Sequence, residues 1–459
     1  MVFSSFVFLS MFFPAVYLIN RLLPVKISNW FLLIASLFLY AWGEPVNVIV
    51  LIVCALMNYL LALMVNRHRR AAIVLALVFN LGLLCAYKYT NFMIGNVNAL
   101  LGTAIPNVNI RMPLGISFFT FQAMSYTIDV YRGECAPQKN PAKLMLYVAL
   151  FPQLVAGPIV KYHEIEAELT ERRATMQDTC EGARRFIVGL SKKVLLANAL
   201  AVTADAVFNA DAALINMPLA WLGALSYAFQ IYFDFSGYTD MAIGMGRMMG
   251  FHFPENFRYP YAAVSMQDFW RRWHISLSSW FRDYVYIPLG GNRRGKNRAI
   301  MNRIIVFFLT GLWHGASWNF VIWGLGNGLL LMLESSGIIP VKKLRRFGHV
   351  YVWLSFILLF VIFRADTLAD AAVIYRGMFT SLSMTAAQQT LLAKCLNGSV
   401  IVTLIAAVLC ALPWREKLGR LYSRACVNAA GYAVSLGLLW LSLMSLASQS
   451  YNPFIYFRF

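Results

Sequence analysis

The residues best suited to chemistry are few. The chain has six histidines, His68, His163, His252, His274, His314 and His349. Only His314 lies well inside an apolar run, LTGLWHGASWNFVIWGLGNGLL at 309–330. An ionisable group at membrane depth is costly and ordinarily faces a protein interior or a water-filled cavity. Two readings stand: a histidine satisfied by a neighbouring helix, or a general base. Desolvation disfavours the imidazolium, so an imidazole in a partly dry pocket stays neutral near physiological pH. It can then take a proton from a hydroxyl that attacks an activated acyl group. Gly311, Gly315, Gly324, Gly326 and Gly328 allow other backbone or a substrate to approach closely.

Other routes lack their signatures. There is no G-x-S-x-G elbow, no phosphate loop and no H-E-x-x-H pair. The 7 cysteines are scattered, with no C-x-x-C, so neither a disulfide framework nor a zinc site is expected. No metal is expected. His274 sits in an aromatic and basic stretch, 256–298, that is too polar to span a membrane easily. Such composition suits the interface, with rings at headgroup depth and cations in water. Arg293, Arg294, Lys296 and Arg298 form a basic loop able to hold the phosphates of an anionic cofactor such as coenzyme A. The positive-inside rule accounts for them equally well. Asp268, Arg271, Arg272 and Asp283 read as ion pairs at the interface, and Asp234 and Asp240 as interior hydrogen-bond partners.

These residues must be positioned by membrane helices. Of 459 residues, 60% are hydrophobic and only 13% charged. A soluble chain cannot bury so large an apolar fraction, and apolar runs recur from one end to the other. The fold expected is all-α and polytopic, one membrane domain over 1–459, with roughly eleven spans plus re-entrant and interfacial helices. The strand alternation of a β-barrel is absent. The net charge of +19 falls in short loops, which points to topology and anionic lipid and away from nucleic acid. Basic loops after the first and third spans place those loops in the cytoplasm and the N-terminus outside, where the opening stretch reads as a retained helix.

In order, spans are expected at 5–22, kinked at Pro14, then at 30–42, 46–65 and 71–89. Residues 91–111 read as an external or interfacial loop. Residues 113–134 carry Gln122 and Asp129 and suit the interior. Residues 144–160 contain Pro152, Gly157 and Pro158 and read as broken or re-entrant. Residues 161–185 are charged and amphipathic. A span at 218–232 runs into a glycine-rich, irregular, interior-facing element through residue 251. The His314 region, 304–333, is one long helix or two half-helices. Further spans are expected at 349–363, 400–412 and 429–447, with a basic linker at 415–424 and an aromatic tail suited to the interface. No internal repeat is found, which weakens a transporter reading.

Taken together these motifs resemble a known family. Trp313-His314-Gly315 follows Phe269-Trp270-Arg271-Arg272-Trp273-His274-Ile275-Ser276-Leu277-Ser278, Arg282-Asp283-Tyr284 and Tyr286-Ile287-Pro288-Leu289-Gly290-Gly291. The set is similar to the membrane-bound O-acyltransferase superfamily, and within it to the membrane subunits of bacterial alginate O-acetylation and their relatives. Those relatives acetylate alginate, cellulose, peptidoglycan or other exported glycans. The resemblance extends to the opening five residues, to Pro113-Leu114-Gly115-Ile116-Ser117-Phe118 and to Phe233-Asp234-Phe235-Ser236-Gly237-Tyr238. It implies a ring of tilted helices around a central tunnel, with 256–330 as the catalytic segment. It implies that His314 is catalytic and that His274 supports it at the cytoplasmic mouth of the tunnel. It implies acetyl-coenzyme A as a substrate, not a bound cofactor. It also implies an inner-membrane location and a periplasmic acetyltransferase or glycan acceptor working with polysaccharide synthesis and export machinery. Relatives often carry a second histidine shortly after this motif. Here Asn327 stands there, and it can hydrogen-bond but cannot titrate.

The function expected is therefore an acyltransferase moving acetyl groups across the membrane for O-acetylation of an exported glycan. The alternatives are D-alanyl transfer to teichoic acid, a transporter with a polar interior, and a non-catalytic scaffold for a glycan synthase. Consumption of an acyl donor separates the first two from the others.

Overall fold

The computed structural model describes residues 3–344, 346–414 and 425–448. The basic linker at 415–424, Arg345, the aromatic tail and the first two residues of the opening motif lie outside the described residues. All regular elements among the described residues are helical. Among the described residues, five helices are long and apolar enough to cross a membrane, or six if the bent pair Ala386–Cys395 and Gly398–Cys410 is one span. Phe8–Leu22 and Val48–Met64 are apolar but shorter. Other helices carry too much charge, or line too polar an interior, to stand out by hydropathy alone. The chain divides into two compact units, Met1–Phe186 with Tyr238–Glu255, and Ile187–Gly237 with Asn256–Phe459.

In the first unit the sequence's polar interior helix is real. Ile116–Arg132 is buried along almost its whole length. Its polar groups find partners inside the protein, as burial requires. Gln122 donates to the Tyr147 carbonyl at 3.0 Å, and Thr127 donates to Asn58 Oδ1 at 2.9 Å. Asn58 and Asn80 exchange amide hydrogen bonds at 3.0 and 2.9 Å. Pro14 follows a π-helical turn, Phe8–Phe12, and opens the helix Phe13–Leu22. Residues 141–154 are two pieces, Pro141–Ala149 and Phe151–Leu154, broken before Pro152. The first half of the expected loop at 91–111 is instead a helix, Thr90–Leu101, ended by Gly102 at φ 65°, and residues 102–111 carry no regular element. Its asparagines bond along the chain, as where Asn96 donates to the Phe92 carbonyl at 2.7 Å.

The expected irregular element after residue 232 is also corrected. Met217–Met248 is one helix. Its glycines serve close packing and leave the helix unbroken. A Cβ on Gly237 would stand 2.7 Å from the Gly189 carbonyl oxygen, within the second unit. In that unit Lys193 and Asp234 form an ion pair at 2.7 Å, each side chain 2% exposed. Arg364 pairs with Asp205 at 2.5 Å. The core of the second unit is strongly aromatic. Tyr261 stacks on Phe356 at 4.3 Å, and Phe269 packs parallel to Trp273 at 5.5 Å.

Candidate active site

The His314 region is a helical hairpin. Lys296–His314 rises to the turn, and Trp318–Ser336 returns beside it. Glycine makes the contact possible. A Cβ on Gly311 would lie 2.3 Å from the Phe320 carbonyl oxygen, and one on Gly324 would lie 2.3 Å from the Phe307 carbonyl oxygen. Only small residues permit backbones this close. His314 is the last residue of the rising helix, so the hairpin delivers the imidazole at its tip. Gly315 is extended there, and its lack of a side chain leaves room for the Phe320 ring.

The imidazole is 4% exposed and walled by rings. Trp313, Trp323 and Phe363 meet it edge-on, with centroids at 5.0, 5.0 and 5.1 Å. His274 is the fourth neighbour, at 6.5 Å. The two histidines singled out from the sequence are thus brought together, and both lie wholly in the second unit.

His274 is held by unusual backbone. It joins two short helices, Met266–Arg272 and Ile275–Phe281, at φ 44°. A non-glycine residue in that region costs on the order of 1–3 kcal/mol and persists only where its surroundings enforce it. The enforcing residue is Asn256. Its Oδ1 accepts from the Ser276 backbone N–H at 3.1 Å and the Ser276 hydroxyl at 2.9 Å, and it lies 3.2 Å from His274 Nδ1. The backbone donor identifies that atom as oxygen, so Nδ1 must carry the proton and donate. Nε2 is then the acceptor nitrogen of the ring. Burial pushes the His274 imidazole down to about 3, so it is neutral at physiological pH.

Trp270 links these short helices to the hairpin. Its indole N–H donates to Asn327 Oδ1 at 3.2 Å, and Asn327 donates to the Trp323 carbonyl at 2.9 Å. Glu334 accepts from the backbone N–H groups of Met266 and Gln267, at 2.5 and 3.0 Å. Charge at a helix start is favourable in this sense. Asp268 pairs with Arg272 at 2.9 Å and Asp283 with Arg282 at 2.6 Å, which takes in three of the four residues expected to form ion pairs.

Beneath the hairpin tip is a cavity of about 790 Å³. Its lining includes Arg271, Arg282, Arg303, Lys342 and Lys343, and also Trp270, Leu277, Phe307 and Thr310. The first group is mostly exposed and the second is buried, so the cavity runs from a cationic mouth to an apolar inner end. Arg293, Arg294, Lys296 and Arg298 do not line it. They are exposed in the turn and the first helical residues beyond it.

Three of the other histidines have local partners. His252 pairs with Glu168 at 2.7 Å, and His349 lies 3.0 Å from the Ala263 carbonyl oxygen. His163 lies 3.1 Å from Asp129, and Glu134 completes a group whose ligand atoms fall within 4.8 Å of one another in the first unit. Asp240 pairs with Arg185 at 2.9 Å.

Residues 138–369 match the model of the membrane-bound O-acyltransferase family. The chain belongs to this family. Similarity also extends beyond the matched segment. "Probable alginate O-acetylase AlgI" of Pseudomonas putida is 38% identical over 100% of both chains. The peptidoglycan O-acetyltransferase of Helicobacter pylori is 37% identical over 81% of this chain and 76% of its own. The teichoic acid D-alanyltransferase of Bacillus subtilis is 32% identical over 49% of this chain and 60% of its own. The protein is therefore a multi-pass membrane acyltransferase. Within the family match lie His314, His274, the hairpin and the whole of the cavity. Asn256, Trp323, Phe363 and Arg303 are site residues that sequence reasoning did not single out. Each is an ordinary residue type in an apolar or mixed stretch, and only the folded chain brings them to the histidines.

Proposed function

We propose that this protein is an inner-membrane O-acetyltransferase that takes acetyl groups from cytoplasmic acetyl-coenzyme A for O-acetylation of an exported polysaccharide, alginate-type or another cell-surface glycan. The observation that carries the reading is the cavity, cationic at its mouth and apolar at its inner end, which stops one helical turn below His314. Full-length similarity to alginate O-acetylases supports the choice of acyl group and acceptor class.

In this reading the donor's phosphates engage Arg271, Arg282, Arg303, Lys342 and Lys343. Arg293, Arg294, Lys296 and Arg298 supply an outer field that draws the anion in. The thioester enters along the apolar lining. His314 acts as general base. It takes the proton of an acceptor hydroxyl as that oxygen attacks the thioester carbonyl. The C–S bond then breaks, and the thiolate leaves with the proton from the imidazolium. His274 is a supporting residue whose neutral ring, fixed by Asn256, helps place the imidazole of His314. The acceptor is a hydroxyl of a periplasmic acetyltransferase or of the glycan itself.

The test is turnover of radiolabelled acetyl-coenzyme A by purified protein in liposomes, with and without the periplasmic acetyltransferase. The reading expects acetyl transfer or donor hydrolysis in at least one condition. Turnover confined to reactions with the partner assigns a relay. No turnover in either, with turnover of a D-alanyl carrier-protein thioester, would replace acetyl by D-alanyl. Solute movement with no acyl consumption would replace the enzyme reading altogether.

A further inference from the structure

We propose that Asp129, Glu134 and His163 form a binding site for one divalent transition-metal ion, of the zinc class, in the first unit. The inference stands apart from the acyl-donor reading, which uses residues of the second unit only. The helix Ile116–Arg132 ends in a tight turn. Gly133 is left-handed there at φ 81°, and the Glu134 N–H donates to the Asp129 carbonyl at 2.9 Å. That turn carries Glu134 back beside Asp129. Arg69, from the basic run expected in the cytoplasm, donates to the Tyr131 carbonyl at 2.7 Å, which puts this end of the helix on the same side. His163 arrives on the short helix Tyr162–Ile165. Tyr162 fixes that helix. Its buried ring meets Tyr126 and Tyr147 edge-on at 4.8 and 5.2 Å, and its hydroxyl accepts from Gln138 Nε2 at 2.8 Å.

The three side chains offer one imidazole nitrogen and two carboxylates, with ligand atoms all within 4.8 Å of one another. His163 Nδ1 and Asp129 Oδ2 are already 3.1 Å apart. Ligands held about 2.0–2.2 Å from a tetrahedral zinc stand about 3.4 Å from one another, so closure needs a shift of about 1–1.5 Å. The Glu134 and His163 side chains, 46% and 38% exposed, are free to supply it, while Asp129 is wholly buried and gives a fixed anchor. A buried carboxylate has to be paired or bound to a cation. The local field favours one: burial, and then the charges of Asp129, Glu166 and Glu134, push the Cys135 thiol up to about 12. An incoming ion must displace Arg132, which lies 3.6 Å from Glu134 in an exposed pair of the kind that contributes little. The mixed donor set selects a zinc-class ion over magnesium or calcium, which prefer oxygen alone. On binding, His163 Nδ1 gives its lone pair to the ion, and the ring proton sits on Nε2. The ligands are 5 and 29 residues apart in the chain, so no short motif marks the site.

The experiment takes the full chain without a histidine tag, in detergent micelles, stripped with chelator and titrated with Co²⁺ and then Zn²⁺. Wild type should bind one Co²⁺ with visible d–d absorption, displaced by Zn²⁺ and not by Mg²⁺. A residue that only orients a ligand is worth about 10- to 100-fold in metal affinity, so His163→Ala and Glu134→Ala should each weaken binding by about 100-fold or more. His252→Ala removes another exposed imidazole of the first unit and should change nothing. Zn²⁺ should also raise the melting temperature of wild type and not that of His163→Ala, since the ion ties the end of Ile116–Arg132 to Tyr162–Ile165. These readouts need no acyl-coenzyme A, so they stand whether or not the protein consumes it. No bound metal in wild type overturns the proposal and leaves the carboxylates to Arg132 and to Lys161, which is buried two residues before His163. Affinity unchanged in either ligand variant overturns it as well, as does displacement by Mg²⁺ at equal concentration.

Discussion

Asn256→Ala tests how the second histidine is held. The amide oxygen of Asn256 takes two fixed donors, His274 Nδ1–H at 3.2 Å and the Ser276 N–H at 3.1 Å, besides a hydroxyl that can turn away. Asn256 and His274 are both fully buried. A stranded buried donor costs about 1–3 kcal/mol, so removing the acceptor should destabilise the protein by about 2–6 kcal/mol. The left-handed backbone at His274 loses its main restraint in the same step. Asn256→Asp keeps an acceptor in place for all three donors, so it should retain most of the stability. Its charge also favours protonated His274 and should move the acidic limb of the activity profile to higher pH. The assay is equilibrium unfolding in mixed micelles, followed by tryptophan fluorescence, with rate against pH beside it. If Asn256→Ala unfolds within about 0.5 kcal/mol of wild type, the residue is not the restraint described. If Asp is as damaging as Ala, the acceptor role is wrong.

Two further outcomes follow from the same geometry. Gly324→Ala puts a Cβ 2.3 Å from the Phe307 carbonyl oxygen and should cost about 1–3 kcal/mol or more while displacing the His314 tip. Gly437→Ala, with nothing within 4 Å, should stay within about 0.5 kcal/mol; equal effects of the two in the same unfolding assay would contradict the close hairpin. Burial depresses the His274 pKa from 6.5 in the folded protein, so between that value and about 3 the unfolded chain binds a proton that the folded chain excludes. Stability should therefore rise with pH across this window, and unfolding measured from pH ~7 down to ~5 should show a loss in wild type that is reduced in His274→Gln.

The most informative residue in the sequence was the most isolated one. His314 stood out because an imidazole is improbable in so apolar a run, and the structure gives it a built enclosure. The interior placement of Gln122 and Asp129 was readable for the same reason: buried polar groups must be paired, and a lipid-facing helix could not pair them. Other features depended on distance in the chain. Asn256 reaches His274 from 18 residues away by sequence separation, across a loop whose return path no local pattern encodes. The cations lining the cavity come from separate elements. The compact cluster at 293–298 drew notice in the sequence because its charges are adjacent, whereas Arg271, Arg282 and Arg303 converge only on folding. Glycines misled in one place and informed in another. Those in Met217–Met248 look like breakers but serve packing, because a long helix tolerates glycine where a neighbour fills the space. The residue at 327 looked like the remnant of a missing histidine, and its bond to Trp270 gives it a structural task that needs no titration.

The most direct test of the account is single-turnover acetyl transfer by His314→Ala beside wild type and His274→Ala, all reconstituted and shown to be folded. Loss of a general base costs about 10²- to 10⁴-fold, or roughly 3–5 kcal/mol of barrier. The account predicts a fall in that range for His314→Ala with acetyl-coenzyme A still bound, and a smaller fall for His274→Ala. A His314→Ala protein that transfers acetyl within about threefold of wild type, less than any general base contributes, would show that the histidine at the hairpin tip is structural and that the chemistry lies elsewhere.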